Sequence, residues 1–415
     1  LLPNKPCILP PDLISDWPAQ HWAKTSSHTI GKSNTDTSSS SLHPAFDLLK
    51  QQYGDHIVPV VTTAGESRDS IAGTSQYESG PSEREEMTLS EAVGRLHEAC
   101  RLREQATGEE QDTTPPAPLI YIKDWHLVRQ EKLRHSREQI DNPVLPYTTP
   151  DLFLDDWMNN ESFLPQQSSE EAAAAAVSAA IPDDFRFCYA GLRGTTTGLH
   201  RDVYTSYSWS TNLVGRKRWV LYSPQLSPLL RRLLEQGRGL APLSAAERAS
   251  LEEPESSTVV LQEEGETIFV PSDVFHTVEN LEDTISLNHN WCNAVNLPRM
   301  YESIKEEMGE VQGALQDVRE MLLEGEKQPP LPWQVEYWRL IQQVSRSDAG
   351  WDWLQFWQMV QRWLDPSSRA CPSFVYPRVA TMIQDFRQRE EWQWLDAEVR
   401  TCVEDCSILI APACR

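Results

Sequence analysis

The chain has 415 residues and 39% hydrophobic residues, enough to bury a core larger than one barrel needs, so we expect a second structural unit. Its formal net charge of −24, from 61 acidic against 37 basic residues, argues against strong nucleic-acid binding, which requires clustered lysine and arginine. No apolar run reaches the length of a membrane-spanning helix, and the eight cysteines form no CxxC pair, so we expect no membrane insertion and reduced thiols.

The N-terminal part of the chain contains three polar stretches that are poor in apolar residues. They cover residues 24–41, residues 62–86 and the region around 105–118. Such segments bury too little surface to fix their conformation, so we predict flexible inserts. We therefore interpret residues 1–117 as a flanking region in which helices and strands alternate with inserts.

Residues 118–296 contain a series of segments rich in β-branched and aromatic residues, which is typical of strands. In chain order they are LIYIKDW, FRFCYAG, SWSTNLVG, GRKRWVLY, GETIFV and TISLNHNW. An alanine-rich run at 172–180 predicts a surface helix before the second of them. The sequence of residues 226–255 predicts a helix followed by a polar loop. A connection of this length between two strands is compatible with substrate binding.

Residues 297–415 change character and predict helices, because apolar residues recur at i, i+3 and i+4 spacing. The predicted helices cover residues 300–323, 331–345, 351–364 and 377–399. In the third helix, Trp351 and Trp357 lie on one face and Trp353 and Trp363 on the opposite face, which implies burial between partners. This aromatic helix is interpreted either as part of a homodimer or substrate-docking surface or as part of a helical cap on the barrel. The pattern favours the cap.

A short pattern in the strand region predicts a metal site. His200 and Asp202 are two residues apart, so on an extended backbone both side chains project to one side. His276 follows a strand and a Pro-Ser-Asp turn, a plausible position at a barrel rim. Two imidazoles and one carboxylate leave open positions on an octahedral ion, the arrangement of non-haem Fe(II) oxygenases. His126 and His289 are interpreted as structural.

The blocks GTTTGLHRDVYTSYSWSTNLVGRKRWVLYSP and GETIFVPSDVFHTVENLEDTISLNHNW resemble the Jumonji-C family of 2-oxoglutarate oxygenases. YGDHIVPV, MTLSEAV and YIKDWHL extend the resemblance from residue 1 to about residue 300. The resemblance implies a mainly β core, a double-stranded β-helix or cupin-like jelly roll, here with a C-terminal helical domain. It also implies Fe(II), 2-oxoglutarate and O2 as cofactor and cosubstrates.

The cosubstrate has a second carboxylate that needs a cation inside the barrel. Strand alternation in GRKRWVLY places Lys217 with Trp219 on the apolar face, whereas Arg216 and Arg218 lie on the other face. Lys217 also matches the cosubstrate lysine of the family, so we predict that it binds the carboxylate.

Three further residues are cosubstrate contacts by resemblance: Thr197, Tyr121 and Asn288. Asn288 departs from the family pattern, which has Thr or Ser at such positions. In TISLNHNW the polar residues share one face, which predicts a polar barrel lining to which Ser210 also belongs. Asn212, on the strand SWSTNLVG, is a further candidate contact because it belongs to the same kind of polar barrel lining.

Within the family, the resemblance implies a lysyl hydroxylase whose protein substrate is the eukaryotic translation termination factor, release factor 1. Such a role predicts a cytoplasmic location, with the nucleus as an alternative. N-methyl-lysine demethylation, an inactive scaffold and a non-oxidative cupin are the other hypotheses. The intact triad and Lys217 argue against the last two, and the lack of zinc or reader motifs in the sequence favours hydroxylation over demethylation.

Overall fold

The computed structural model describes residues 4–24, 42–63, 82–105, 117–140, 144–159, 184–238, 240, 243–253, 255–324, 332–365 and 371–412. Within these residues the strands are β1 (Cys7–Leu9), β2 (Ile57–Thr63), β3 (Ser82–Thr88), β4 (Leu119–Trp125), β5 (Arg186–Gly191), β6 (Thr196–His200), β7 (Tyr207–Val214), β8 (Lys217–Tyr222), β9 (Ser257–Gln262), β10 (Thr267–Val270), β11 (His276–Asn280) and β12 (Thr284–Trp291).

The strands form two antiparallel sheets. The larger sheet has the order β1-β10-β7-β12-β5-β4-β2-β3, and the smaller sheet has the order β6-β11-β8-β9. Strands β5 to β12 are therefore distributed over both sheets in the manner of a jelly roll, as the sequence predicts, with β8 and β9 adjacent in the smaller sheet. This topology brings β6 and β11 together in the smaller sheet, where His276 pairs with His200.

The N-terminal region extends the larger sheet through β4, β2 and β3. The prediction of a flexible insert at residues 62–86 is wrong at both ends, because Thr62 and Thr63 belong to β2 and residues 82–86 belong to β3. Residues 82–86 of β3 are all exposed, so backbone pairing with β2 fixes this strand rather than burial of its side chains. Residues 25–41, 64–81, 106–116 and the predicted helix at 172–180 lie outside the described residues.

Helices cover the N-terminal part of the larger sheet and connect β8 to β9. The first group is α1 (Gln20–Lys24), α2 (Ala45–Tyr53), α3 (Leu89–Gln105) and α4 (Leu127–Arg137). The β8–β9 connection contains α5 (Ser227–Glu235) and α6 (Ala245–Glu252). Ser244 caps α6 in a reciprocal arrangement with Glu247, which explains where that helix begins.

The C-terminal region is helical, as predicted, with α7 (Leu297–Ala314), α8 (Gln316–Glu324), α9 (Trp333–Ala349), α10 (Trp353–Leu364), α11 (Val375–Gln388) and α12 (Ala397–Ile410). Two predicted boundaries are wrong. The segment 300–323 is two helices that separate at Leu315, and the helix predicted at 377–399 ends at Gln388 because Arg389 has an extended backbone (φ −72°, ψ 150°). Among the described residues, no helix is both long and apolar enough to span a membrane.

Most buried apolar side chains belong to one of two large cores. One contains side chains of the N-terminal helices and of the larger sheet, including Trp125 and Trp209. The other belongs mainly to the helical region, where Trp351, Trp353 and Trp357 are fully buried within a single chain. The aromatic face of α10 is therefore covered inside this chain, as the cap interpretation requires, and the homodimer stays a prediction.

Candidate metal centre

His200, Asp202 and His276 form the one cluster of three or more potential metal ligands that the described part of the chain contains. One ligand atom from each residue lies within 4.8 Å of the other two. The rings of His200 and His276 are 4.2 Å apart between centroids, since antiparallel pairing of β6 and β11 places them side by side. His276 is 2% exposed, and the other two residues are half-buried.

Both histidines have one ring nitrogen occupied by the backbone. Nδ1 of His200 donates to the Gly198 carbonyl at 2.9 Å, and Nδ1 of His276 donates to the Val274 carbonyl at 3.0 Å. Because a carbonyl only accepts, each Nδ1 carries the proton, and each Nε2 keeps a lone pair. This tautomer is the one that a metal ligand needs.

The surroundings of the triad favour a neutral His200 imidazole and an oriented carboxylate. Burial, followed by the neighbouring His276 ring, lowers the pKa of His200 to about 4, so its ring is neutral at physiological pH. Ser208 donates a hydrogen bond to Oδ2 of Asp202 at 2.8 Å, which orients the carboxylate. The set of two imidazole nitrogens and one carboxylate fits a divalent iron with positions left for other ligands.

The candidate ligands His200 and Asp202 are not on one strand. β6 ends at His200, but Asp202 keeps an extended backbone (φ −62°, ψ 147°), so the alternation still places both side chains on one side. After Val203, Tyr204 and Thr205 adopt left-handed conformations (φ 52° and 49°). Such conformations cost on the order of 1 kcal/mol or more per non-glycine residue.

Lys217 lies inside the barrel, as predicted from strand alternation. Its side chain is 1% exposed, and its Nζ donates to the Ser286 hydroxyl at 2.6 Å. No carboxylate among the described residues pairs with it, and burial lowers its pKa to about 7. A buried ammonium without a counter-anion is costly, so this position fits the distal carboxylate of a bound dicarboxylic acid.

A polar wall continues from Lys217 along β12 and β7. The Asn288 side-chain oxygen accepts hydrogen bonds from Ser210 at 2.9 Å and from Ser286 at 3.3 Å. Because these bonds use its oxygen, the amide NH2 group is the part of Asn288 that could donate to a carboxylate. The polar lining expected from TISLNHNW is thus present in the fold, and a cosubstrate contact of Asn288 stays a prediction.

Tyr121 and Thr197 are brought together, although they come from different sheets. The buried hydroxyl of Tyr121 interacts with the side chains of Thr197 and Asn280, and burial raises its pKa, so it stays protonated and able to donate. Gly191 makes this arrangement possible, since a Cβ at that position would collide with the Tyr121 ring. Asn280 pairs with Lys217 between β11 and β8, so the group lies next to the predicted cosubstrate lysine.

Asn212 has a different environment from the other predicted contacts. It lies on the same face of β7 as Ser208 and Ser210, but its amide NH2 group donates to the Gly215 carbonyl in the turn that leads to β8. Its side-chain oxygen is buried and has no partner among the described residues. Asn212 therefore stabilises the turn, and a contact with the cosubstrate stays a prediction.

His289 and His126 have the structural surroundings that we predicted. The Nε2 atom of His289 lies 2.8 Å from Oδ2 of Asp156, and the residue is 1% exposed. The ring of His126 packs edge-on against Phe187, and its Nδ1 atom lies 3.1 Å from the Asp184 carboxylate. Neither belongs to the metal cluster.

Tyr189 is a pocket residue that the sequence reasoning missed. Its hydroxyl donates to Asp124 at 2.8 Å, and its ring centre is 6.0 Å from the Nζ atom of Lys217 and 6.0 Å from the Tyr121 ring. The alternation in FRFCYAG, which puts Phe187 and Tyr189 on one face, is the signal that could have identified it. Tyr189 thus contributes an aromatic surface between Lys217 and Asp124.

Comparison with known proteins agrees with this geometry. The chain matches the cupin-like domain family over residues 1–296. It is 30% identical to the 2-oxoglutarate and iron-dependent oxygenase JMJD4 of Mus musculus over 330 residues, which cover 78% of this chain and 63% of that protein. It is 30% identical to JMJD4 of Gallus gallus over 368 residues, covering 87% and 69%, respectively.

A third relative has a different name. The chain is 32% identical to the arginine-specific demethylase JMJ20 of Arabidopsis thaliana over 277 residues, which cover 66% of this chain and 55% of that protein. The chain thus spans about 55 to 69% of the length of these relatives. With the jelly roll, the His-Asp-His cluster and these similarities, the chain belongs to the cupin-like JmjC family of 2-oxoglutarate- and iron-dependent oxygenases.

Proposed function

We propose that the chain is an active Fe(II)- and 2-oxoglutarate-dependent protein hydroxylase that oxidises a lysine side-chain carbon of the translation termination factor. The observation that carries the activity is the combination of an intact triad, whose Nε2 atoms are free of backbone bonds, with Lys217 buried without a carboxylate. An inactive scaffold would have no reason to keep a costly unpaired ammonium inside its barrel.

The residues of the candidate site have defined roles in this proposal. His200, Asp202 and His276 would hold iron, which supplies the oxidation of a C–H bond by O2, coupled to oxidative decarboxylation of 2-oxoglutarate to succinate and CO2. Lys217 neutralises the distal carboxylate, and Ser286 orients the Lys217 ammonium. The remaining residues shelter the pocket, and no strong acid or base is required.

The substrate is the finer part of the proposal. It is supported by the resemblance of the sequence blocks to lysyl hydroxylases of this factor and by 30% identity to the JMJD4 oxygenases. A cytoplasmic location follows if the substrate is a translation factor. The similarity to an enzyme named as an arginine-specific demethylase favours one second candidate, N-methyl demethylation of a basic side chain.

Mass spectrometry distinguishes these functions. The purified chain is incubated with Fe(II), 2-oxoglutarate and a release-factor fragment, and His200→Ala serves as the control because it lacks a metal ligand but keeps Lys217. We expect a gain of one oxygen on a lysine that the control does not produce. Loss of a methyl group from a methylated peptide would instead support the demethylase.

The other outcomes separate activity from substrate. Succinate formation without a modified peptide, absent in His200→Ala, would retain the oxygenase and reject this substrate. If neither succinate nor a modified peptide forms while the protein binds Fe(II), the proposal of an active enzyme is wrong.

A further inference from the structure

We propose that the C-terminal helical region holds the two metal-ligand segments in place, and that Tyr204 and Arg201 are the positioning residues that connect them. The first segment, residues 200–206, carries His200 and Asp202, and the second, residues 271–276, carries His276. The inference concerns the metal centre alone and does not depend on the identity of the substrate.

The first connection is made by Tyr204, two residues after Asp202. Its side chain is 3% exposed, and its hydroxyl donates to the Ala349 carbonyl at 2.8 Å and accepts from the Trp351 N–H at 3.0 Å. Ala349 ends α9, and Gly350 has the left-handed backbone (φ 91°) that turns the chain toward α10. The hydroxyl of Tyr204 therefore occupies the turn between two helices.

The backbone of the first segment needs such a restraint. Tyr204 and the β-branched Thr205 have φ values of 52° and 49°, a region that these residue types rarely adopt. Strained residues of this kind persist where the surrounding structure over-determines them. Because only Val203 separates Asp202 from these two residues, relaxation of this backbone would move the Asp202 carboxylate.

The second connection is made by Arg201, which lies between the two ligands and points to the opposite side of the backbone. Its guanidinium binds Asp273 of the second segment at 2.9 Å and Glu306 of α7 at 2.8 Å, and it lies 5.9 Å from the Phe275 ring centre. Arg231 of α5 contacts the same Glu306 at 2.7 Å. Arg201 therefore links both ligand segments to the helical region.

The two ligand segments are also bonded to each other. Ser272 donates to the Thr205 carbonyl at 2.6 Å, next to the left-handed Asp273 (φ 62°). A shift of one segment is therefore transmitted to the other. Together these contacts form one connected unit that joins both imidazoles and the carboxylate to helices α7 and α9.

Metal affinity tests this inference without reference to turnover. The metal-free protein is titrated with Mn(II), and the free ion is followed by electron paramagnetic resonance; visible absorption of the Co(II)-loaded protein reports ligand geometry. The variants are Tyr204→Phe and the matched control Tyr301→Phe. Tyr301 is equally buried in the helical region, and its hydroxyl donates to Asp385.

We expect Tyr204→Phe to bind Mn(II) about 10-fold more weakly and to change the Co(II) spectrum, as residues that orient ligands do. Tyr301→Phe should lower the melting temperature of the metal-free protein without affecting either metal readout. The inference is overturned if Tyr204→Phe lowers the melting temperature but keeps wild-type affinity and spectrum, or if both variants weaken Mn(II) binding equally.

If Tyr204→Phe does not fold, two variants of exposed glutamates on α7 test the same inference. Glu306→Gln removes the charge that Arg201 contacts, and Glu302→Gln removes a charge from the same helix that pairs with Lys305 instead. Both carboxylates are more than 40% exposed, so neither change threatens the core. Weaker Mn(II) binding in Glu306→Gln alone supports the inference, and equal affinities in the two variants contradict it.

Discussion

The barrel interior and the C-terminal helical core bury their side chains for different reasons. The barrel buries serines, asparagines and a lysine around the triad, whereas the helical core buries Trp351, Trp353 and Trp357 against other apolar residues. Apolar burial stabilises the fold by removing surface from water, but polar burial needs a partner for each group. A buried cation that no carboxylate of the described residues neutralises, as at Lys217, therefore marks a place where an anionic ligand is expected.

Two lysines show the contrast most directly. Lys305 of α7 binds Glu302 at 3.0 Å and Asp385 at 3.1 Å, and although burial alone would lower its pKa, these carboxylates raise it. Lys217 donates to the Ser286 hydroxyl and pairs with no carboxylate of the described residues, and burial lowers its pKa to about 7. Lys305 is thus neutralised by carboxylates of the protein, whereas the neutralisation of Lys217 is left to a bound anion.

The largest effect is expected from His276→Ala, which removes a ligand from the barrel interior. Metal binding and 2-oxoglutarate turnover should fall below detection, because two ligands remain. The melting temperature of the metal-free protein should stay near that of wild type. Calorimetric metal titration and thermal unfolding check both points. The prediction is contradicted if the variant has a much lower melting temperature than wild type but still binds metal.

Trp357→Ala should have the opposite profile. Removing this fully buried ring from α10 leaves a cavity and should lower the free energy of unfolding by about 3–5 kcal/mol. At a temperature where the variant is folded, its affinity for Mn(II) should match that of wild type. Denaturant unfolding and metal titration give the two values, and a loss of less than about 1 kcal/mol would show that the helical core tolerates cavities.

Lys217→Met should change how stability depends on pH. The pKa of Lys217 is about 7 in the folded protein against an ordinary value of 10.5, so the unfolded chain binds more protons between these values. The stability of the metal-free protein should therefore rise with pH across this window, by at most about 1.4 kcal/mol per unit, and Lys217→Met should lack this contribution.

Denaturant unfolding at pH 7, 8 and 9 measures this difference, since subtracting the variant from wild type removes the other titrating groups. We also expect Lys217→Met to lose affinity for 2-oxoglutarate. Parallel stability curves for the two proteins would mean that Lys217 takes up no proton on unfolding. Its amine would then already be charged in the folded protein, and its pKa there would not be lowered.

The smallest effect is expected from Lys305→Met in the helical region. Its carboxylate partners are largely exposed, so the pair should contribute about 0–1 kcal/mol to the free energy of unfolding. The same measurements over the same pH range should give a curve parallel to wild type. A pH-dependent difference as large as that of Lys217→Met would remove the distinction between the two cations.

The sequence predicts those parts of the site that depend on local geometry. Two-residue spacing identified His200 and Asp202, and strand alternation placed Lys217 inside the barrel; both hold in the structure. The succession of strands and then helices likewise gave the jelly roll and the helical region. In each case a backbone repeat of two or about 3.6 residues carries the information.

Features that depend on distant contacts were not predictable in this way. Residues 82–86 look like a flexible insert by composition, and only pairing with β2 makes them a strand. The left-handed backbone of Tyr204 and Thr205 opposes their local preference and is fixed by residues of the helical region. Tyr189 joins the pocket through contacts with residues from other strands.

The hydrogen bond between Tyr204 and Trp351 has a consequence for the order of folding. It joins residues 147 positions apart, and the His200–His276 pairing already requires a long loop to close. Contacts of such separation form late, since the entropy of loop closure must be overcome first. During synthesis the strands can pair before the helical region exists, so the chain should acquire a rigid metal centre only after Trp351 has left the ribosome.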